Sequence, residues 1–264
     1  MRLSAAGRVV AAAALLAVLT SCAKAGPVEL THTAAPVLPS TPAKAQPVQP
    51  DPLVGAVFVG DGTLHSCSGA VLDSTGGDLI LTAAHCIADG VDATFVAGFN
   101  NDAAPENVWH LDAVYLDSRW VQNQDPVADF AIARVSRNSG GTIQAQAGGG
   151  LRLGSAPKSG TVVTVTGYPM GDGGGPVGCR APTAEAIKGF PSLPCEGIVG
   201  GLSGAPWITG STITGLIGGL DGGGCQDESS YSPPFDEAIT RLLARAEAGG
   251  PADDVPSVFD DDCD

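Results

Sequence analysis

The amino-acid sequence predicts an all-β protein of the barrel or sandwich type. Three features carry that expectation. Short β-branched runs recur along the chain, broken by Gly, Asp and Asn. A Gly-rich gap at 138–150, "NSGGTIQAQAGGG", divides them into two sets. The one credible helical pattern stands close to the C-terminal end, after all the strands.

Taken in order, the expected strands are "LVGAVFV" (53–59), "LHSCSGAVL" (64–72), "DLILTA" (78–83), "VDATFVAGF" (91–99), "NVWHLDAVYLD" (107–117) and "DFAIARV" (129–135). After the gap come "TVVTVTGYP" (161–169), "GIVGG" (197–201), "PWIT" (206–209) and "STITGLIGGL" (211–220). In "FDEAITRLLARAEAGG", residues Phe235, Ile239, Leu242, Leu243 and Ala246 make one apolar stripe, and Gly249 is a suitable stop. That helix is expected to pack against a barrel.

The ends of the chain read differently. "MRLSAAGRVVAAAALLAVLTSC" has basic Arg2 and Arg8, then an apolar run from Val9 to Leu19 that is too short to span a bilayer. This is the pattern of a secretory signal over 1–21. Its end, "LTSC", resembles the bacterial lipobox, which implies acylation of Cys22. Residues 22–51 recur in Pro and Ala without apolar periodicity, and are expected to form a disordered or extended tether. Residues 52–250 are the expected folded domain, and 251–264 read as a solvated acidic tail rather than a calcium site.

The chain has 13 Lys+Arg against 28 Asp+Glu, a formal net charge of −15. Loss of Arg2 and Arg8 with the signal would take this to −17. Such a surface repels nucleic acid, so nucleic-acid binding is not expected. Seven cysteines are present, and six remain if Cys22 carries lipid. An even number in an exported chain reads as three disulfides. No C-x-x-C pair occurs, so neither a metal centre nor a cofactor is expected.

The chemistry is sought around "GGLSGAPW" (200–207). Small residues around one hydroxyl allow close approach to the backbone, which suits an exposed nucleophile and an ordinary turn alike. A serine nucleophile needs a base. Of the four histidines, His32 lies in the tether, and His65 and His110 read as structural. His85 stands in "LTAAHCIAD", and Asp129 opens an apolar run in "ADFAIARV". No histidine follows Ser203, which excludes the Ser, acid, His order of α/β-hydrolases. The order found is His85, Asp129, Ser203.

"TAAHC", "DFAIARV" and "GGLSGAP" resemble the His, Asp and Ser motifs of trypsin-like (chymotrypsin-fold) serine peptidases in their secreted bacterial form. "HSCSGAVL", "GYP" and "GLIGGL" resemble neighbouring strands of that family, and the likeness runs through 53–245. It implies two six-stranded antiparallel β-barrels with a C-terminal helix, the barrels spanning about 52–140 and 151–235. It implies catalysis by His85, Asp129 and Ser203, with the N–H groups of Gly201 and Ser203 as the oxyanion hole. The substrate pocket would involve Gly197, Ile198, Gly218, Gly219 and Leu220. No carboxylate stands there in the trypsin-like position, so a neutral, apolar residue is expected before the cleaved bond. The family also implies a Cys67–Cys86 bridge. Four further cysteines allow three pairings. Cys179–Cys195 with Cys225–Cys263 is expected, and Cys195–Cys225 is the main alternative.

The resulting expectation is an extracellular, membrane-anchored, monomeric serine endopeptidase acting on protein or peptide. Two alternatives share the fold. One is a silent binding protein, with Leu202, where many relatives carry Asp, distorting the turn. The other is a serine esterase.

Overall fold

The computed structural model describes residues 42–60, 62–88, 91–225 and 228–257. The expected signal segment, Cys22, most of the tether and Cys263 lie outside these residues.

A short strand, β1 (Gln46–Pro47), precedes the first barrel. That barrel is built from β2 (Val54–Val59), β3 (Leu64–Val71), β4 (Leu79–Thr82), β5 (Ala93–Ala97), β6 (Trp109–Leu116) and β7 (Ala131–Ser136). The strands pair in the order β3-β2-β5-β6-β7-β4, and β3 also pairs with β4, so the six strands close. Closure removes exposed strand edges. β4 is buried throughout, and Val57, Leu81, Phe95, Trp109, Phe130 and Ile132 fill the interior.

Two short helices interrupt the strands. α1 (Ser118–Asn123) is started by Asp117, whose side chain accepts the Arg119 N–H. α2 (Ile143–Ala147) lies inside the Gly-rich gap, capped by the Thr142 hydroxyl and ended by Gly148 in the left-handed region. Thr142 and Gly148 are ordinary start and stop signals, and five residues are too few to show a helical period.

The second half contains β8 (Arg152–Leu153), β9 (Val162–Gly167), β10 (Gly171–Asp172), β11 (Val177–Pro182), β12 (Ala184–Ile187), β13 (Phe190–Pro194), β14 (Pro206–Thr209), β15 (Thr212–Leu216) and β16 (Ser229–Tyr231). One sheet has six strands in the order β1-β11-β9-β14-β15-β8, and a second has the order β12-β13-β16. Val163, Val165, Leu193, Leu202, Trp207 and Ile217 form its core. β10 crosses over to pair with β3, joining the halves. The final helix, α3 (Glu237–Glu247), starts at Asp236, whose side chain accepts the Ala238 N–H. It buries Ile239, Leu242 and Ala246 in the same core as the first barrel, as the apolar stripe requires. The chain is therefore a mostly β protein with one closed six-stranded barrel, further sheets and a C-terminal helix.

Three expectations change. The acidic tail is not simply solvated: Asp253 accepts the Leu116 N–H at 2.7 Å, donates its own N–H to Val114 O at 2.9 Å and pairs with Arg245. "GIVGG" is not a strand: Gly197 and Gly201 have φ of 80° and 95°, which an extended strand does not allow. The end of the stretch read as a tether is docked. Gln46 and Pro47 pair with β11, and the N–H of Ala45 donates to Glu196 O at 2.8 Å. Proline-rich composition does not reveal such backbone pairing.

Cys67 is bonded to Cys86, and Cys179 to Cys195. Cys195 is thus unavailable to Cys225, which rules out the alternative pairing. Cys225 is itself disulfide-bonded, and its partner lies outside the described residues. The bridges fit an extracellular protein, where an oxidising compartment preserves them.

Candidate active site

β4 delivers His85. The strand ends at Thr82, and a single 3-10 turn, Ala84–Cys86, follows. The Cys67–Cys86 bridge ties that turn to β3. Asp129 follows another 3-10 turn, Pro126–Ala128, immediately before β7. β4 and β7 are paired neighbours, with Thr82 opposite Ala131. Residues 44 positions apart in sequence therefore meet.

Asp129 is fully buried. Its Oδ2 lies 2.8 Å from His85 Nδ1, and its Oδ1 accepts the His85 backbone N–H at 3.0 Å. Oδ2 also accepts the Gly219 N–H at 2.7 Å. Burial pushes the Asp129 carboxyl up. The His85 charge, the His85 ring hydrogen bond and the N–H groups of Gly219 and His85 together outweigh it and hold the group below the ordinary carboxylate range. An ionised carboxylate only accepts hydrogen bonds, so Nδ1 is the donor in this pair, which leaves Nε2 as the basic nitrogen of the neutral ring.

Ser203 lies in the turn between residues 197 and 205, on the other half of the molecule. Its carbonyl accepts the Ser68 N–H from β3 at 2.8 Å. Leu202 is fully buried in the second core. Its N–H donates to Val199 O at 3.2 Å, and its carbonyl accepts the Ala205 N–H at 2.8 Å. The Gly200 carbonyl accepts the Met170 N–H, also at 2.8 Å. No peptide bond among the described residues is cis. In a trans peptide, N–H and C=O point opposite ways. Gly200 O and Leu202 O are tied down, so the N–H groups of Gly201 and Ser203 face away from those bonds.

Close approach explains the glycines. A Cβ on Gly201 would lie 2.0 Å from Met170 N, and one on Gly204 would lie 2.2 Å from Ser68 O. Both positions also have positive φ, which disfavours a side chain.

The expected pocket residues are only partly assembled around the pair. Ile198 and Leu220 are buried. Gly218 and Gly219 pack against the acid: a Cβ on Gly218 would lie 2.8 Å from Asp129 Oδ2. Sequence reading placed Gly219 at the substrate and missed its bond to Asp129, since a backbone donor leaves no trace in residue type. It also missed Ser68. His65 is structural as expected, buried among Phe58, Phe99 and Tyr168 with Nε2 2.8 Å from Gly173 O. His110 is exposed on β6. A cavity of about 330 Å³ between α1 and α3, lined in part by Asp117, Arg241 and Arg245, includes none of His85, Asp129 and Ser203.

Comparison with known proteins agrees with this architecture. A family model described as a trypsin-like peptidase domain matches residues 67–228. The solved protease Anisep from Arthrobacter nicotinovorans is similar at 24% identity and a TM-score of 0.66, covering 77% of this chain and 99% of its own. A Glu endopeptidase is similar at 18% identity and a TM-score of 0.61, covering 80% of this chain and 99% of its own. The human heparin binding protein is similar at 14% identity and a TM-score of 0.59, covering 79% and 98%. No curated protein matches the sequence significantly. The chain, with a closed β-barrel that carries a buried Asp–His pair, belongs to the trypsin-like peptidase domain family.

Proposed function

We propose that this protein is an extracellular serine endopeptidase in which His85, Asp129 and Ser203 act as one unit. The observation that carries the reading is Asp129. One fully buried carboxylate holds the His85 ring and backbone and also the Gly219 N–H, so it binds residues from both halves of the chain. Three donors on one buried carboxylate suit an acid that must stay ionised and fix the histidine tautomer.

The steps follow from those positions. Ser203 Oγ bonds to the acyl carbon of the scissile peptide while its proton passes to His85 Nε2. The oxyanion lies against the N–H groups of Gly201 and Ser203. His85 then gives its proton to the leaving nitrogen as the carbon–nitrogen bond breaks. Water repeats the sequence on the acyl-enzyme, and the acid product leaves. A neutral, apolar residue before the cleaved bond is expected, because Ile198, Gly218, Gly219 and Leu220 supply no charged side chain.

Leu202 bears on the silent alternative. Its side chain is anchored in the second core, and both its backbone groups are bonded within the turn. That supports a braced turn rather than a distorted one. Heparin binding, for which one structural neighbour is named, suits this chain poorly: a net charge of −15 repels a polyanion. Cys22 acylation would hold the enzyme at the outer membrane face, with the tether as spacer, and Cys225–Cys263 would be the third bridge.

The test is a fluorophosphonate probe together with a panel of peptide amides and esters. The expected result is labelling at Ser203 and turnover of amides with apolar residues before the bond. No labelling of the intact protein would leave a binding protein, and turnover of esters alone would make it an esterase.

A further inference from the structure

Ser68 has no place in the mechanism above, yet all of its polar groups are engaged and it is fully buried. Its N–H donates to Ser203 O at 2.8 Å. Its hydroxyl donates to Gly201 O at 2.9 Å and accepts the Tyr168 N–H at 2.8 Å. Its carbonyl accepts the Thr82 hydroxyl at 2.8 Å. Thr82 ends the strand that delivers His85. One residue of β3 thus contacts the turn at both positions that flank Leu202, and it is bonded in turn to the strand leading to the base.

We propose that Ser68 is a positioning residue for the reaction: its hydroxyl fixes the Gly201 peptide, and with it the oxyanion turn, relative to His85. The proposal rests on the serine peptidase reading. Physically, the Gly201 carbonyl is the hinge of the turn. Gly201 has a φ of 95°, a conformation held by its surroundings rather than by any side chain of its own. On one side of Gly201 the Gly200 carbonyl is held by Met170 N–H, and on the other the Gly201 carbonyl is held by Ser68 Oγ. Without the hydroxyl, the peptide between Gly201 and Leu202 is held only through the Leu202 N–H to Val199 O, and the turn loses a constraint. Its donors would then no longer aim at a developing oxyanion. Misplacing one such donor typically costs about 10²–10³ in kcat. Ser68 touches no reacting atom in this account, so its effect is on turnover and not on substrate affinity.

The test compares wild type with Ser68→Ala, Ser68→Gly and Thr82→Val on one peptide amide. Binding of a peptide aldehyde, whose adduct carries the oxyanion, is measured beside it. Ser68→Ala is expected to lower kcat about 10–100-fold with KM nearly unchanged. It should weaken aldehyde binding in proportion and leave the pH profile of kcat in place, because the His85–Asp129 pair is untouched. Ser68→Gly leaves room for a water on the same two groups, so it should lose less. It also carries the test if the alanine variant does not fold. Thr82→Val should give the smallest loss. Unchanged kcat and aldehyde affinity in folded Ser68→Ala or Ser68→Gly, with only a lower Tm, would make Ser68 structural and overturn the proposal while the peptidase reading stands. A wild type that neither turns over substrate nor binds the aldehyde overturns both.

Discussion

His85 and Asp129 stand on a closed barrel and are held to each other by one carboxylate, which takes both the ring and the backbone N–H of His85. Ser203 stands on an open glycine turn held by backbone atoms and one buried hydroxyl. On the barrel side, three donors converge on one carboxylate. On the turn side, the carbonyls of Gly200, Leu202 and Ser203 each accept a backbone N–H, from Met170, Ala205 and Ser68. The difference teaches how each side fails. The first fails when a functional group is removed. The second fails when an atom is added, because Gly201 and Gly204 have no space for a Cβ.

The largest expected effect comes from removing groups. Ser203→Ala and His85→Ala should each lower kcat on the order of 10⁶, and the double variant should lose little more than either. Asp129→Asn should be milder, about 10⁴, because the base remains but its tautomer is no longer held. Steady-state turnover of wild type and the four variants checks this. Single losses that multiply would mean that the two halves do not act together.

Adding an atom comes next. Gly201→Ala places a Cβ 2.0 Å from Met170 N and 2.6 Å from Tyr168 O. Gly210, with a φ of 63°, has nothing within 4 Å of its Cβ. Both substitutions carry the left-handed backbone penalty, about 1–2 kcal/mol. Only Gly201→Ala must also move the turn, so its kcat should fall at least 10²-fold while Gly210→Ala keeps wild-type kcat. Equal activity in the two folded variants would show that the turn tolerates displacement.

The smallest effect is on stability, and it sharpens the barrel side. The Asp129 carboxyl is held below its ordinary value in the folded chain. Its ionised form therefore favours the folded state above about pH 4, and that contribution is lost as pH falls through the lowered value. Thermal melting between pH 5 and pH 2 should fall more steeply for wild type than for Asp129→Asn. Parallel slopes would mean that the acid has the same affinity for protons folded and unfolded.

The strands of the first half were legible as short apolar, mostly β-branched runs with Gly, Asp or Asn between most of them. "DLILTA" and "DFAIARV" correspond to β4 and β7 within two residues. In the second half, β8, β10 to β13 and β16 went unread. "VGCRAP" and "FPSLP" contain proline and alternate poorly, and their strand character comes from their partners in the sheet. The motifs pointed to His85, Asp129 and Ser203, of which the structure pairs the first two, whereas nothing in the sequence pointed to the roles of Gly219 and Ser68. A backbone N–H is common to nearly every residue, and a serine beside a cysteine signals nothing until its neighbours are known.

The sequence by itself determined the β class, the C-terminal helix and the chain order of His85, Asp129 and Ser203, the three residues proposed for catalysis. Those follow from local periodicity and residue chemistry, which act over a few residues at a time. Only the tertiary structure decided that the 46–47 segment docks on β11, that Leu202 anchors the turn, and that Asp129 reaches Gly219 across 90 positions of chain. Each is a long-range contact. Its partner is chosen by closure of the barrel and by the demand that buried polar groups be satisfied, and neither is written at any single position.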